Sequence, residues 1–311
     1  MKLSVITTLY CSQPYLEEFY SRLKHTVEKL EVDREFIFVN DGSPDHSREQ
    51  VLLFQQKDPD IVLIDLSRNF GHHQAIYTGL EYATGDLIFL IDCDLEEAPE
   101  LLLPFWSELT SDGSLDVVYG VQSKRKGDFF ERNLGNIFYR LINSMTKVNY
   151  PADTLTARLM KRSYVAAILS FKERTFDIWA LFVLAGFNQK GIPAMKASKG
   201  SSTYSLQRKL AISIDIITSF SQRPLYLIFF LGLIWLLISL ANISIILVKK
   251  WFFDIPVEGW SSIMASIWLI GGITTFMIGT VAIYLSKLFI EAKQRPVSII
   301  RQVYKNKHES V

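Results

Sequence analysis

The sequence predicts an α/β domain built on a mainly parallel sheet, followed by a two-helix hairpin that crosses a membrane. Three observations predict it. Apolar strands alternate with helix-length segments from Leu3 to Val121. Polar residues gather directly after those strands. The surplus of apolar sequence lies almost entirely after Pro224.

The elements follow in order. Leu3 to Leu9 is apolar and rich in β-formers, a first strand. Pro14 to Leu30 sets Tyr15, Phe19, Leu23, Val27 and Leu30 at helical spacing. Glu35 to Val39 is a second strand and runs directly into Asn40, Asp41, Gly42 and Ser43. Asp45 to Gln56 reads as a helix, Ile61 to Leu66 as a strand and Gly71 to Ala83 as a helix. Asp86 to Ile91 is a strand ending at Asp92, Pro99 to Leu109 a helix and Asp116 to Val121 a strand. Strands separated by helices of this length pair in parallel and are covered on both faces. No G-x-G-x-x-G follows the first strand, so a dinucleotide fingerprint is absent. In open sheets of this kind ligands bind beyond the carboxyl ends of the strands. Tyr10, Asp41, Asp92 and Asp94 all occupy such places.

Composition narrows the class. With 33 Lys and Arg against 32 Asp and Glu the formal charge is +1, which gives no bias towards nucleic acid. Hydrophobic residues make up 49% and mean hydropathy is +0.18, more than one soluble core needs. Two cysteines, Cys11 and Cys93, give no disulfide framework and read as reduced thiols. Met1 to Tyr10 has a single lysine and reads as a strand rather than a secretion signal, so the first domain is expected in the cytoplasm.

Leu225 to Val248 contains no charged residue, and neither does Ile263 to Ser286. Each run exceeds the ~20 residues a helix needs to cross a bilayer. Trp251, Phe252, Phe253 and Trp260 lie between them, residues that favour the membrane–water interface. Gly271, Gly272 and Gly279 lie in the second span; small residues let helices pack closely in lipid, which leaves a homo-oligomer open. Lys196, Lys199, Arg208, Lys209 and Arg223 precede the first span, and Lys287, Lys293, Arg295, Arg301, Lys305 and Lys307 follow the second. The positive-inside rule then puts both termini in the cytoplasm, against a mild conflict from Lys249 and Lys250 in the connecting loop. Leu206, Leu210, Ile214 and Ile217 recur at helical spacing within Ser205 to Gln222, either a helix lying in the headgroup plane or a surface helix of the globular domain. The expected organisation is a catalytic domain over 1–204, an interfacial helix over 205–222, a hairpin over 223–290 and a basic tail over 291–311.

The run LIDCDLEEAPE, Leu90 to Glu100, sets Asp92 and Asp94 one residue apart at a strand end. Such a D-x-D pair brings two carboxylates to one hard divalent cation, which keeps waters and takes up diphosphate oxygens. FVNDGSPDHS, Phe38 to Ser47, ends an earlier strand with an acid and a tight turn, and Ser43 with Pro44 also suits a helix start. RNFGHHQAIYTGLEYATGD, Arg68 to Asp86, leads into the D-x-D strand. Its His72 and His73 fall at a helix start, a place where paired histidines are more often structural than catalytic.

On these motifs the sequence resembles the family 2 glycosyltransferases of the GT-A (Rossmann-like) fold. It is most similar to the branch with two C-terminal spans that includes dolichyl-phosphate mannose synthases and bacterial polyprenyl-phosphate glycosyltransferases. FSQRPLYLI, Phe220 to Ile228, and EAKQRPVSII, Glu291 to Ile300, extend the resemblance across the hairpin. It implies that Thr8 and Tyr10 line the nucleobase pocket, with Asp41 near the base and Ser43 in the same donor loop. It implies that Asp92, Asp94 and Glu96 hold Mg2+ or Mn2+ and the diphosphate, with Asp94 foremost in catalysis. Arg125, Arg132 and Arg158 match basic positions for an acceptor phosphate, which guanidinium binds bidentately. Asp153 is a candidate base where the acceptor is a hydroxyl.

The chain departs from the pattern in places. Cys11 and Ser12 stand where the family has Asn and Glu, Glu96 where the branch often has Gln, and Gln122 where Arg is common. In PADTLTARLMKR, Pro151 to Arg162, Leu155 and Thr156 replace a Gly and an acid or serine. The expected activity is inverting transfer of a sugar from a nucleotide-sugar, UDP-linked by preference, to a polyprenyl phosphate at the cytosolic face of a bacterial inner membrane. Transfer to a lipid-linked or free saccharide in surface-polysaccharide assembly, and a catalytically silent membrane scaffold, are the alternatives.

Overall fold

The structure, a computed structural model, describes residues 1–122, 154–174, 176–196, 218, 223–253 and 259–305. The chain divides into two units. One is globular and holds the strands; the other holds two long helices.

The globular unit begins β1 (Lys2–Leu9), α1 (Gln13–Glu28), β2 (Asp33–Asn40), α2 (Ser47–Lys57), β3 (Ile61–Leu66), α3 (His72–Tyr82) and β4 (Leu87–Leu90). A 3-10 turn at Pro99–Leu101 leads into α4 (Leu102–Ser111), followed by β5 (Val117–Gln122). After the segment outside the description come β6 (Thr154–Lys161), α5 (Arg162–Ser170), α6 (Ile178–Leu184) and β7 (Gln189–Ala194). The sheet order is β7-β5-β6-β4-β1-β2-β3-β8, where β8 is Ile300–Tyr304. The run β4-β1-β2-β3 is parallel throughout, β6 is antiparallel to both its neighbours, and β8 is antiparallel to β3.

The strand alternation decides the layers. Val5, Phe36 and Phe38 pack with α1, α2 and α4 on one face. Ile6, Ile37 and Val39 pack with α3, α5 and α6 on the other. Side chains alternate across a strand, so a strand buried on both faces must be apolar at both registers. Helix α3 lies close to the sheet: a Cβ on Gly79 would stand 2.5 Å from Ile6 Cγ2.

The segment after the second long helix returns to the globular unit, where the sequence suggested a separate basic tail over 291–311. Asp65, fully buried, receives Asn40 Nδ2 at 2.7 Å and faces Arg301 at 3.4 Å and Arg48 at 3.5 Å. Gln55 Nε2 donates to the carbonyls of Ile61 and Tyr304. These contacts make β8 part of the sheet.

In the helical unit α7 spans Arg223–Phe253 and α8 spans Trp260–Ala292. Both outrun the uncharged stretches, so the connection between them is shorter than the sequence suggested. The 27 residues Ser266–Ala292 are long and apolar enough to cross a membrane and are not buried in the protein, and Arg223–Trp235 is a shorter apolar helical stretch. The two helices approach at Gly232, where a Cβ would lie 3.5 Å from Met277 Cε. Gly271, Gly272 and Gly279 instead face open space. The expected interfacial helix over 205–222 lies outside the described residues, apart from Thr218.

Candidate active site

β1 and β2 end level, because Leu9 pairs with Asn40, while β4 stops at Leu90 opposite Ile6 and its following loop runs on beside the end of β1. At these ends lie Thr8, the next-to-last residue of β1, and beyond them Tyr10, Asp41, Ser43, Asp92, Asp94 and Glu96, all expected there from the sequence. The parallel order reverses between β2 and β4 on either side of β1, the place where open α/β sheets bind ligands.

The donor-side loops are tightly held. Tyr10 presents an exposed ring while its N–H donates to Ser12 Oγ at 3.1 Å. Asp41 is buried, and its two oxygens accept the N–H groups of Phe70 at 2.7 Å and Gly71 at 3.0 Å. Burial raises its pKa, and the two N–H bonds and nearby His72 oppose that rise. Gly42, at φ +59°, leaves room for the Arg68–Asn69 backbone, which a Cβ would meet at 2.5 Å. Ser43 Oγ accepts the N–H of Cys11 at 2.8 Å and donates to Asp45 at 2.5 Å. Ser43 therefore ties two loops together, and α2 starts four residues later, at Ser47.

The acid loop follows β4. Asp94 Oδ1 accepts the N–H of Glu96 at 3.0 Å, and Leu95 takes a left-handed φ of 62° to turn the chain. Glu96 pairs with Lys196 at 2.9 Å. Burial would lower the Lys196 pKa, but Glu96, Glu97 and Asp94 hold it above the ordinary value. Glu97 is buried, and its carboxylate accepts the N–H groups of Thr156 at 2.9 Å and Ala157 at 2.6 Å. Burial and the charge of Asp92 push its pKa up to about 7 against those two bonds.

Asp92 is held from two sides. Thr156 Oγ1 donates to its Oδ2 at 2.7 Å, and His72 Nε2 stands 3.6 Å from its Oδ1. His72 Nδ1 in turn meets Thr8 Oγ1 at 3.1 Å. His73 is structural: its Nδ1 accepts the N–H of Ile178 at 3.4 Å, and burial lowers its pKa despite Asp177 beside it.

Arg158 was expected at an acceptor phosphate. The structure places it in the interior, 2% exposed, with its guanidinium 3.7 Å from the Phe182 ring and 4.7 Å from that of Trp179. Its donors go to the carbonyls of Leu155 and Thr156, both at 3.3 Å. Burial lowers its pKa to about 10. Arg125, Arg132 and Asp153 lie outside the described residues.

Among the described residues no three His, Cys, Asp or Glu side chains converge as a ready metal cage. The Asp92 and Asp94 oxygens nevertheless fit Mg2+ or Mn2+, since such ions take one or two carboxylates and complete their shell with waters and phosphate oxygens. Glu96, expected as a third acid, is turned to Lys196. Sequence reasoning missed Glu97, Lys196 and the part played by Thr156. Long-range pairing exposes them: β6 runs antiparallel to β4 with Arg158 opposite Leu90, Thr156 two residues on meets Asp92, and Glu97 bridges to Lys196.

The family model described as glycosyl transferase family 2 matches residues 4–169, from β1 to the end of α5. A Mycobacterium tuberculosis protein named as a glycosyltransferase is 46% identical over 98% of this chain and 89% of its own length. The SfII prophage-derived bactoprenol glucosyl transferase of Shigella flexneri is 28% identical over 98% of this chain and 99% of its own. A mannosyltransferase from Pyrobaculum calidifontis, solved with GDP-Man and Mn2+, matches 94% of this chain and 86% of its own at 16% identity, with a TM-score of 0.48. The family match takes in every strand end that carries the acids described above, and the chain belongs to glycosyl transferase family 2.

Proposed function

We propose that the chain transfers a sugar from a nucleotide-sugar, UDP-linked by preference, to a polyprenyl phosphate at the cytosolic face of a bacterial membrane. The observation that carries this reading is the union, in one chain, of the acid loop after β4 with an apolar helix of membrane-spanning length. The full-length similarity to a bactoprenol glucosyl transferase supports the acceptor.

The sheet gives an argument for two crossings. β8 follows α8 and pairs with β3, so the chain must leave and re-enter the membrane on one side. If α8 crosses once, a second crossing is required, and α7 is the helix placed to make it. The cations flanking the two apolar runs, which outnumber Lys249 and Lys250 between them, favour the cytoplasm as the shared side.

In the proposed reaction an oxygen of the lipid phosphate attacks the anomeric carbon as the bond to the nucleoside diphosphate breaks, with inversion as the family resemblance implies. A phosphate monoester has a second pKa of about 6 and is largely dianionic at pH 7, so the nucleophile needs placing rather than deprotonation. Thr156, where the family pattern has an acid or serine, suits that requirement. Tyr10, Thr8 and Ser43 would line the nucleoside site, with Asp41 shaping it through the Phe70–Gly71 backbone. Arg125 and Arg132 are the cations proposed for the acceptor phosphate. Asp94 with Asp92 would hold Mg2+ or Mn2+, which supplies positive charge to the leaving diphosphate.

The test uses membranes containing the protein, undecaprenyl phosphate, Mn2+ or Mg2+ and a panel of labelled UDP- and GDP-sugars. Label from one donor is expected in an organic-extractable product labile to mild acid. Donor turnover with all label in water-soluble saccharide would overturn the lipid acceptor.

A further inference from the structure

The geometry points to Thr156 as a positioning residue that acts through Asp92: its hydroxyl, with His72 opposite, holds the first carboxylate of the D-x-D pair in the orientation a divalent cation needs. The inference rests on the proposed cation-binding role of Asp92 and Asp94.

Three constraints converge on the Thr156 hydroxyl. The antiparallel register of β4 and β6 brings residue 156 opposite residue 92. Glu97 accepts the N–H groups of Thr156 and Ala157 with its two oxygens, which fixes the strand where it passes the acid loop. Thr156 itself is 7% exposed and β-branched, so its rotamer is restricted. The result is a hydroxyl donating to Asp92 Oδ2 at 2.7 Å, while the other oxygen faces His72 Nε2 at 3.6 Å. His72 is held in turn by Thr8 at the end of β1. Asp92 is thereby braced from β6 on one side and from α3 and β1 on the other.

This also gives the departure at residue 156 a physical reason. A carboxylate in that place has no hydrogen to donate to Asp92. A hydroxyl donates to Asp92 instead, as serine, the other residue of the pattern, also can. Groups that orient a metal-binding carboxylate typically affect metal affinity or activity by ~10–100-fold.

The experiment is titration of the purified full-length protein with Mn2+ in the presence of UDP, following free Mn2+ by electron paramagnetic resonance, with no turnover involved. Thr156→Val is expected to weaken Mn2+ binding by ~10-fold or more, and Thr156→Ser to restore it to within a few-fold of wild type. In an Asp92→Ala background, Thr156→Val is expected to add nothing, because the acceptor of its hydrogen bond is already gone. Thermal unfolding of each variant separates misfolding from lost positioning, and Thr156→Ala takes the place of the valine variant, with the same expected loss, if that one does not fold. Mn2+ binding by Thr156→Val equal to wild type overturns the inference. So does an undiminished loss in the Asp92→Ala background, or a serine variant as weak as the valine one. Wild-type protein that binds UDP without any Mn2+ dependence overturns the cation reading itself, and the inference with it.

Discussion

The two halves of the sheet are stabilised differently. In β4-β1-β2-β3 the strands are parallel, and Ile6, Ile37, Ile88 and Leu90 on one face answer Val5, Phe36, Phe38 and Phe89 on the other. Buried polar groups keep mainly to the strand ends: Ser4 with Glu35 near the start, Asn40 with Asp65 near the finish. In β6 the interior is partly polar at its centre. Arg158 lies against Phe182 and Trp179, and Glu97 holds the Thr156–Ala157 backbone. Apolar packing is nondirectional and insensitive to pH, whereas buried polar clamps are directional and titratable. The parallel half thus supplies a rigid frame, and the mixed half aims side chains at the acid loop.

The largest expected effect lies where the halves meet. Asp94→Asn removes a charge from the loop that both support, and the amide keeps the volume. Losing one charge-stabilising group at a reacting centre typically costs ~100–1000-fold in turnover. Sugar transfer is expected to fall by that amount while the unfolding midpoint stays within about 1 °C. Normal turnover by this variant would remove the proposed cation site; a large drop in melting temperature would mean the acid loop is part of the frame rather than its cargo.

The same contrast explains what was legible in the sequence. Every strand and helix from β1 to β5 is readable because burial on both faces forces apolar runs such as FIFV and LIFL, and a helix of regular length separates each pair. β6 reads TLTARLMK, where a buried arginine and two threonines interrupt the apolar pattern. β7 reads QKGIPA and β8 IRQVY, both with largely exposed side chains at a sheet edge, where pairing leaves little trace in composition. The site divides in the same way. Tyr10, Asp41, Asp92 and Asp94 follow apolar strands closely and stand out by position, whereas Thr8 is named only through the family resemblance. Glu97, Thr156 and Lys196 enter through long-range pairing, β4 with β6 and Glu97 with Lys196, which spacing along the chain does not encode.

The second effect isolates the mixed half. Glu97 has its pKa pushed from the ordinary 4.5 to about 7 in the folded chain. A carboxyl whose folded pKa is raised stabilises the fold fully below about pH 4.5, and that contribution is lost as pH rises through about 7. At 1.36 kcal/mol per unit the span is about 3 kcal/mol. Glu97→Gln removes the titration and turns an amide NH2 towards one of the two N–H groups, an unmet donor worth about 1–3 kcal/mol. Denaturant unfolding of the full chain with chelator present should therefore show the variant less stable than wild type near pH 4.5. The gap should shrink, or reverse, by pH 8. A gap constant across that range would mean that Glu97 stays ionised and that the clamp is a plain pair of hydrogen bonds.

The smallest effect isolates the parallel half. Gly79 lies in α3 where the helix meets β1 and β2, and a Cβ there would stand 2.5 Å from Ile6 Cγ2 and 3.2 Å from Val39 Cγ2. Both neighbours are β-branched and fully buried, so neither has another rotamer to retreat to. Gly79→Val forces α3 outward, and overpacking of this kind typically costs about 1–3 kcal/mol. Part of that is recovered, since glycine is itself a poor helix residue by a few tenths of a kcal/mol relative to valine. No ionisable group takes part in the contact, so the loss should be the same at pH 4.5 and pH 8, unlike that of Glu97→Gln. The displacement of α3 also reaches His72 at its first turn, the group facing Asp92. If the frame is as rigid as its packing implies, Gly79→Val should weaken Mn2+ binding as well as stability. A loss of stability with Mn2+ binding unchanged would show that Thr156 alone orients Asp92 and that α3 is a bystander.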